Sequence, residues 1–220
     1  MERFVFLYPE QDIFDAEIER GMYLLPHDID HATMKRWQDA SAEERKKIRA
    51  ESANVIRKTF QETYARTLNR CIDERYRRRG FHISYLLYEG SAVSPIVSMH
   101  PSDTVLSVGL DATTHRKEQP DGTFQYPDPD RMIDALGETT LLRVAGFHMW
   151  DCVERFAKRA YERGIDTLVD EDLTEFLTHR MLSEGFRTDT YPTYTPCKNK
   201  GSFEVFMDAR RGRPWLWQTY

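Results

Sequence analysis

The chain has 220 residues, 40% of them apolar and 30% charged, with 11 Gly and 10 Pro, enough apolar material for one packed domain. Its 31 Lys and Arg against 36 Asp and Glu leave a formal charge of −5, which gives no global pull towards nucleic acid or anionic lipid. This composition excludes disorder, collagen-like repeats and low complexity, and no apolar run approaches the roughly 18 residues that cross a bilayer.

In chain order, the first apolar run is FVFLY at 4–8, stopped by Pro9. A long helical pattern follows at about 41–79, with Ser41 able to cap it and Glu43 and Glu44 in its first turn, where the helix dipole favours negative charge. Ile48, Ser52, Ile56, Phe60, Tyr64, Leu68 and Ile72 recur at every fourth position and predict one buried face. Arg75, Arg77, Arg78 and Arg79 read as complements to the negative helix end rather than as a phosphate patch, and Gly80 supplies the stop. Further apolar runs stand at 81–88, 104–110, 141–147, 166–169 and 203–207, and helical patterns at about 151–164 and 171–184. The runs are rich in Val, Leu and Phe without strict alternation, as strands covered on both faces are. Strands alternating with helices predict a single α/β domain, 1–220, whose mostly parallel sheet has about six strands. The proline-rich stretch 115–129 reads as a surface excursion.

Chemistry concentrates in 141–174, LLRVAGFHMWDCVERFAKRAYERGIDTLVDEDLT. A strand ends at Gly146, a turn follows, and Cys152 opens a helix. A thiol in that position meets the unpaired N–H groups of the first turn, which are expected to lower its pKa and to hold an oxyanion. His148, four residues earlier, reads as a packing or substrate-contacting histidine.

The set Gly146, Cys152, Val153, Ala157, Ala160, Gly164 and Asp172 resembles, in identity and spacing, the isochorismatase-like (nicotinamidase-related) cysteine hydrolases. The resemblance implies a three-layer sandwich and hydrolysis of a small molecule at a C–N or C–O bond, with no cofactor or metal. It also implies a triad in which an Asp on the first strand takes the thiol proton, a Lys after the third strand stabilises charge, and the Cys attacks. Mapped onto this chain, the Asp place falls on Tyr8, the Lys place on Val108, and the Thr often found three residues before the Cys on Met149. Glu10 or Asp12 would then serve as base and Lys117 or Asp111 as the assisting group, with Tyr8, Asp111 and His148 contacting substrate. The alternative is a catalytically silent relative that keeps the pocket and binds a metabolite or a protein partner.

His27 and His31, in HDIDH, could share a helix face and hold a metal, but Pro26 and the missing third ligand favour a solvated loop. The aromatic segment 214–220, PWLWQTY, either anchors a subunit contact, which leaves homo-oligomers open, or folds back on its own core. Cys71, Cys152 and Cys197 are scattered without a CxxC, and Met1-Glu2-Arg3-Phe4 does not look like a secretory leader. The expected setting is therefore reduced, soluble and cytoplasmic, with neither nucleic acid nor membrane as partner.

Overall fold

Phe4, Val5, Phe6 and Leu7 are all fully buried because their strand, β1 (Glu2–Leu7), runs through the middle of the sheet. The computed structural model describes residues 1–22, 39–174, 186–190 and 211–216. Beside β1 lie β2 (His82–Leu87), β3 (Thr104–Ser107), β4 (Leu141–Gly146) and β5 (Asp166–Thr174), in the order β3-β2-β1-β4-β5. Every neighbouring pair is parallel, with Leu7 opposite Leu86 on one side and Gly146 on the other.

The helices are α1 (Gln11–Met22), α2 (Ala42–Cys71), α3 (Ala112–Arg116), α4 (Pro129–Leu136) and α5 (Glu154–Glu162). The chain lays strands outward from β1 to β3, then returns across β1 to add β4 and β5. With right-handed crossovers this reversal puts α2 and α5 on opposite faces, an arrangement compatible with three layers. No helix among the described residues is long and apolar enough to cross a membrane.

The expected long helix forms. Ser41 accepts from the Glu44 N–H while the Glu44 carboxylate accepts from the Ser41 N–H, a reciprocal cap that satisfies two end donors. A π-helical turn (Ile72–Tyr76) and a short 3₁₀ turn (Arg77–Arg79) extend α2, and Gly80 at φ 87° ends it. One face of this end packs on β1, where Tyr76 stacks on Phe4 with ring centroids 4.1 Å apart. Phe14 of α1 meets Phe6, Phe147 and Tyr64, which joins both strands of the sheet's centre to α1 and α2. On α5, Ala157 and Ala160 are fully buried, which lets the helix backbone come close to the sheet.

Three expectations need correction. The sheet has five strands among the described residues; the sixth run, 203–207, lies outside them. The run at 104–110 gives only the four-residue edge strand β3, mostly exposed, because Gly109 turns the chain at φ 75°. The stretch 115–129 is mostly exposed, in line with a surface excursion, between the end of α3 and Pro129, which opens α4 at a position where its missing N–H costs nothing.

The third correction is the largest. Residues 171–174 continue β5 instead of starting a helix, and 175–184 lies outside the described residues. A helix from about Glu171 would leave its charges solvated, yet Asp170, Glu171 and Asp172 are all buried. Their counter-charge is Arg75, only 2% exposed, whose guanidinium pairs with Asp170 at 3.1 Å and Asp172 at 3.0 Å. Tyr76 also donates its hydroxyl to Asp170, and Arg75 donates to the carbonyls of Arg187 and Thr188. Arg75 is thus a buried clamp between α2, β5 and 186–190, rather than a solvated complement to a helix end. At the other edge of the clamp, Val169 donates to the Trp215 carbonyl, and Trp215 and Leu216 are buried, so this part of the aromatic segment folds back on the core.

Candidate functional site

The strand order reverses between β1 and β4, and in open parallel sheets the crevice at the carboxyl ends of such a pair is where ligands bind. Here both chains turn sharply just past the last paired residues, Leu7 and Gly146. Gly146 has φ 127°, and a Cβ built on it would sit 2.3 Å from the Leu7 carbonyl oxygen, so no other residue fits. Tyr8 and His148, next along each strand end, both hold left-handed backbone, at φ 61° and 66°. Such conformations are costly for side chains with a Cβ and gather at functional sites. The His148 carbonyl accepts the N–H groups of Asp151 and Val153, closing the π-helical turn Met149–Val153 that carries Cys152.

Cys152 is 5% exposed, and its Sγ lies 3.7 Å from His115 Nε2. The other ring nitrogen of His115, Nδ1, is 2.6 Å from the Gln125 carbonyl oxygen. A carbonyl can only accept, so Nδ1 carries a proton, and Nε2 is the nitrogen turned to the sulfur. The Tyr8 hydroxyl is a close neighbour of the same thiol. Around these groups the rings form a continuous stack: Tyr8 on Tyr88 at 4.4 Å, Tyr88 on His115 at 5.5 Å, and His115 edge-on to Tyr126 at 5.1 Å. The Arg155 guanidinium covers the outer face of Tyr126, 4.0 Å from its centroid.

This environment reverses the expected thiol acidity. Burial pushes the Cys152 thiol up to about 12, while the Tyr8 hydroxyl and Arg155 pull it down and Asp151 adds to the rise. Cys152 is the fourth residue of its turn, and desolvation there outweighs the helix-terminus effect. Desolvation likewise raises the Tyr8 and Tyr88 hydroxyls well above the usual phenol range.

The sequence-derived candidates divide by position. Tyr8, Cys152 and half-buried His148 meet at the switch point. Glu10 is buried one step away: its Oε1 accepts the Tyr88 N–H at 2.8 Å, and its Oε2 has no hydrogen-bond partner. Burial holds the Glu10 carboxyl at about 7. Asp12 faces outward and pairs with Arg116 at 3.0 Å, its side chain 60% exposed. Asp111 caps α3, accepting the Thr114 N–H at 2.8 Å, and so holds the short helix that presents His115. Lys117 ends α3 at the surface. Val108, at the family's Lys place, is a buried core residue.

Sequence reading missed His115 and Tyr88. His115 sat in a segment whose prolines suggested solvent, and the only signal for it was Asp111 as a cap four residues before an otherwise isolated histidine. Tyr88 looked like the last residue of an apolar run.

Among the described residues no group of three or more His, Cys, Asp or Glu side chains is arranged to hold a metal ion; His27 and His31 lie outside them. No family model, curated protein or solved structure matches this chain.

Proposed function

We propose that the chain is an isochorismatase-like hydrolase of a small molecule, with Cys152 as nucleophile and His115 as its base. In this reading His115 Nε2 takes the thiol proton as sulfur bonds to an electrophilic carbon. The imidazolium then returns that proton to the departing nitrogen or oxygen, and water releases the acyl group from sulfur. The single observation that carries the reading is the 3.7 Å approach of Nε2 to Sγ, with the ring held by its Nδ1 bond to Gln125. In unliganded sites such pairs are often looser than the 2.6–3.2 Å of a working hydrogen bond. A thiol that is neutral at rest fits a base acting during attack rather than a standing thiolate. The mildly acidic charge and scattered cysteines support a reduced cytoplasmic setting.

Turnover of a panel of amides, carbamoyl compounds and vinyl ethers tests this. Cys152→Ser and His115→Ala are each expected to lower kcat by a factor of roughly 10³ or more, as loss of a nucleophile or its base does. Turnover that survives Cys152→Ser overturns the proposal. So does a chain with no turnover and no selective alkylation of Cys152.

The second reading, a silent relative that binds a metabolite or partner, draws on the sealed sulfur and on Tyr8 and Val108 where the family has charged groups. Its mark is a small molecule bound equally well by the native chain and Cys152→Ser, with no product formed.

A further inference from the structure

Tyr88 lies between the two residues that reach the sulfur. Its ring stacks on Tyr8 on one side, 4.4 Å away and only 5° from parallel, and on His115 on the other. Its backbone N–H is fixed by Glu10 Oε1, which locks the strand end that carries it. Yet its hydroxyl, on a residue only 2% exposed, has no hydrogen-bond partner. A buried hydroxyl left unpaired is a net cost to folding, so a fold retains one chiefly where something else completes it. The Tyr8 hydroxyl and the Cys152 thiol lie close to the Tyr88 hydroxyl.

We infer that the Tyr88 hydroxyl is a substrate contact, donating its hydrogen bond to the carbonyl oxygen of the molecule that Cys152 attacks. This rests on the Cys152–His115 reading and adds the donor that reading leaves out. When sulfur adds to a carbonyl carbon, a C–S bond forms and the C=O π pair moves onto oxygen. The thiol proton passes through His115 Nε2. A phenol hydrogen given to that oxygen meets the charge where it develops, among buried rings that exclude water. The rigid stack holds the donor in place before the substrate arrives, so no reorganisation is needed at the moment of attack.

Two reactions of Cys152 separate this role from a structural one. Acetaldehyde adds reversibly to a thiol: sulfur bonds to carbon, the oxygen receives the thiol proton, and a neutral thiohemiacetal results. Iodoacetamide alkylates the same sulfur by displacing iodide and places no charge on a carbonyl oxygen at the reacting carbon. Tyr88→Phe is expected to weaken the acetaldehyde adduct at least tenfold while changing the alkylation rate less than twofold. Because an unpartnered hydroxyl contributes no bond, the variant is also expected to unfold at a denaturant midpoint equal to or above that of the native chain. Equal effects on both reactions, or no effect on the adduct, overturn the inference and leave the Cys152–His115 pair standing. Failure of the native chain to react with either reagent overturns both.

Discussion

Tyr8 and His148 stand just past the ends of adjacent strands, and they are the two non-glycine residues with left-handed backbone among those described. Just before them, Gly146 passes so close to the Leu7 backbone that a Cβ there would clash. The strain is local and measurable. Glycine at position 148 is expected to give a chain more stable than valine there by about 1–2 kcal/mol, since a β-branched residue pays the full left-handed penalty. Urea midpoints of His148→Gly and His148→Val check this, and equal midpoints would refute it.

Gly146→Ala is expected to be far more damaging. The new Cβ would meet three backbone atoms of Leu7 within 3 Å, and backbone cannot give way as a flexible side chain can. A loss above about 4 kcal/mol, seen as insoluble expression or a collapsed Tm, is the expected outcome. A soluble variant with unchanged Tm would show that β1 and β4 can separate.

Alkylation of Cys152 should carry the signature of a buried thiol. With the thiol held at about 12, the rate with iodoacetamide is expected to rise with pH from 7 to 10 without levelling, by about tenfold for each unit, because the thiolate is the reacting form. A plateau by pH 8 would mean a stabilised thiolate and contradict the burial described above.

Glu10 predicts a pH dependence of stability. Its carboxyl is raised from an ordinary 4.5 to about 7 by burial, opposed by the Tyr88 N–H and Arg116 and reinforced by Asp12. The folded chain then binds the proton more tightly than the unfolded chain. Stability from this group is full below pH 4.5 and is lost as pH rises through 7, by up to about 3 kcal/mol. Glu10→Gln is expected to flatten this slope between pH 4.5 and 7 in denaturant titrations. A variant that keeps the slope would assign it to another group.

Arg75→Ala removes the partner of two buried carboxylates. Breaking a buried pair in this way costs about 3–5 kcal/mol. For a chain of this size that is a fall in Tm of order 10 °C. Replacing Asp73, whose ion pair with Arg78 is solvated, is expected to cost less than about 1 kcal/mol. A thermal melt of each variant separates the two.

The parts of the fold that were legible are those where local chemistry and burial agree. The unbroken run at 4–8 and the Ser41–Glu44 cap each state their structure in a few residues. The charged segment of β5 was not legible, because Asp170 and Asp172 are buried only by virtue of Arg75, far away in the chain. The site divides the same way. Gly146 and Cys152 stand out locally as a strand end and a helix start, whereas His115 reaches the sulfur through tertiary folding of a segment whose composition suggests solvent. The thiol's acidity was misjudged because a helix start can be read from sequence and desolvation cannot.

The Arg75–Asp170 contact joins residues 95 positions apart. During synthesis the guanidinium leaves the ribosome well ahead of its carboxylates and cannot enter the interior without them. The end of α2 therefore cannot settle against β1 until β5 has been made, and the two halves of the chain must finish together.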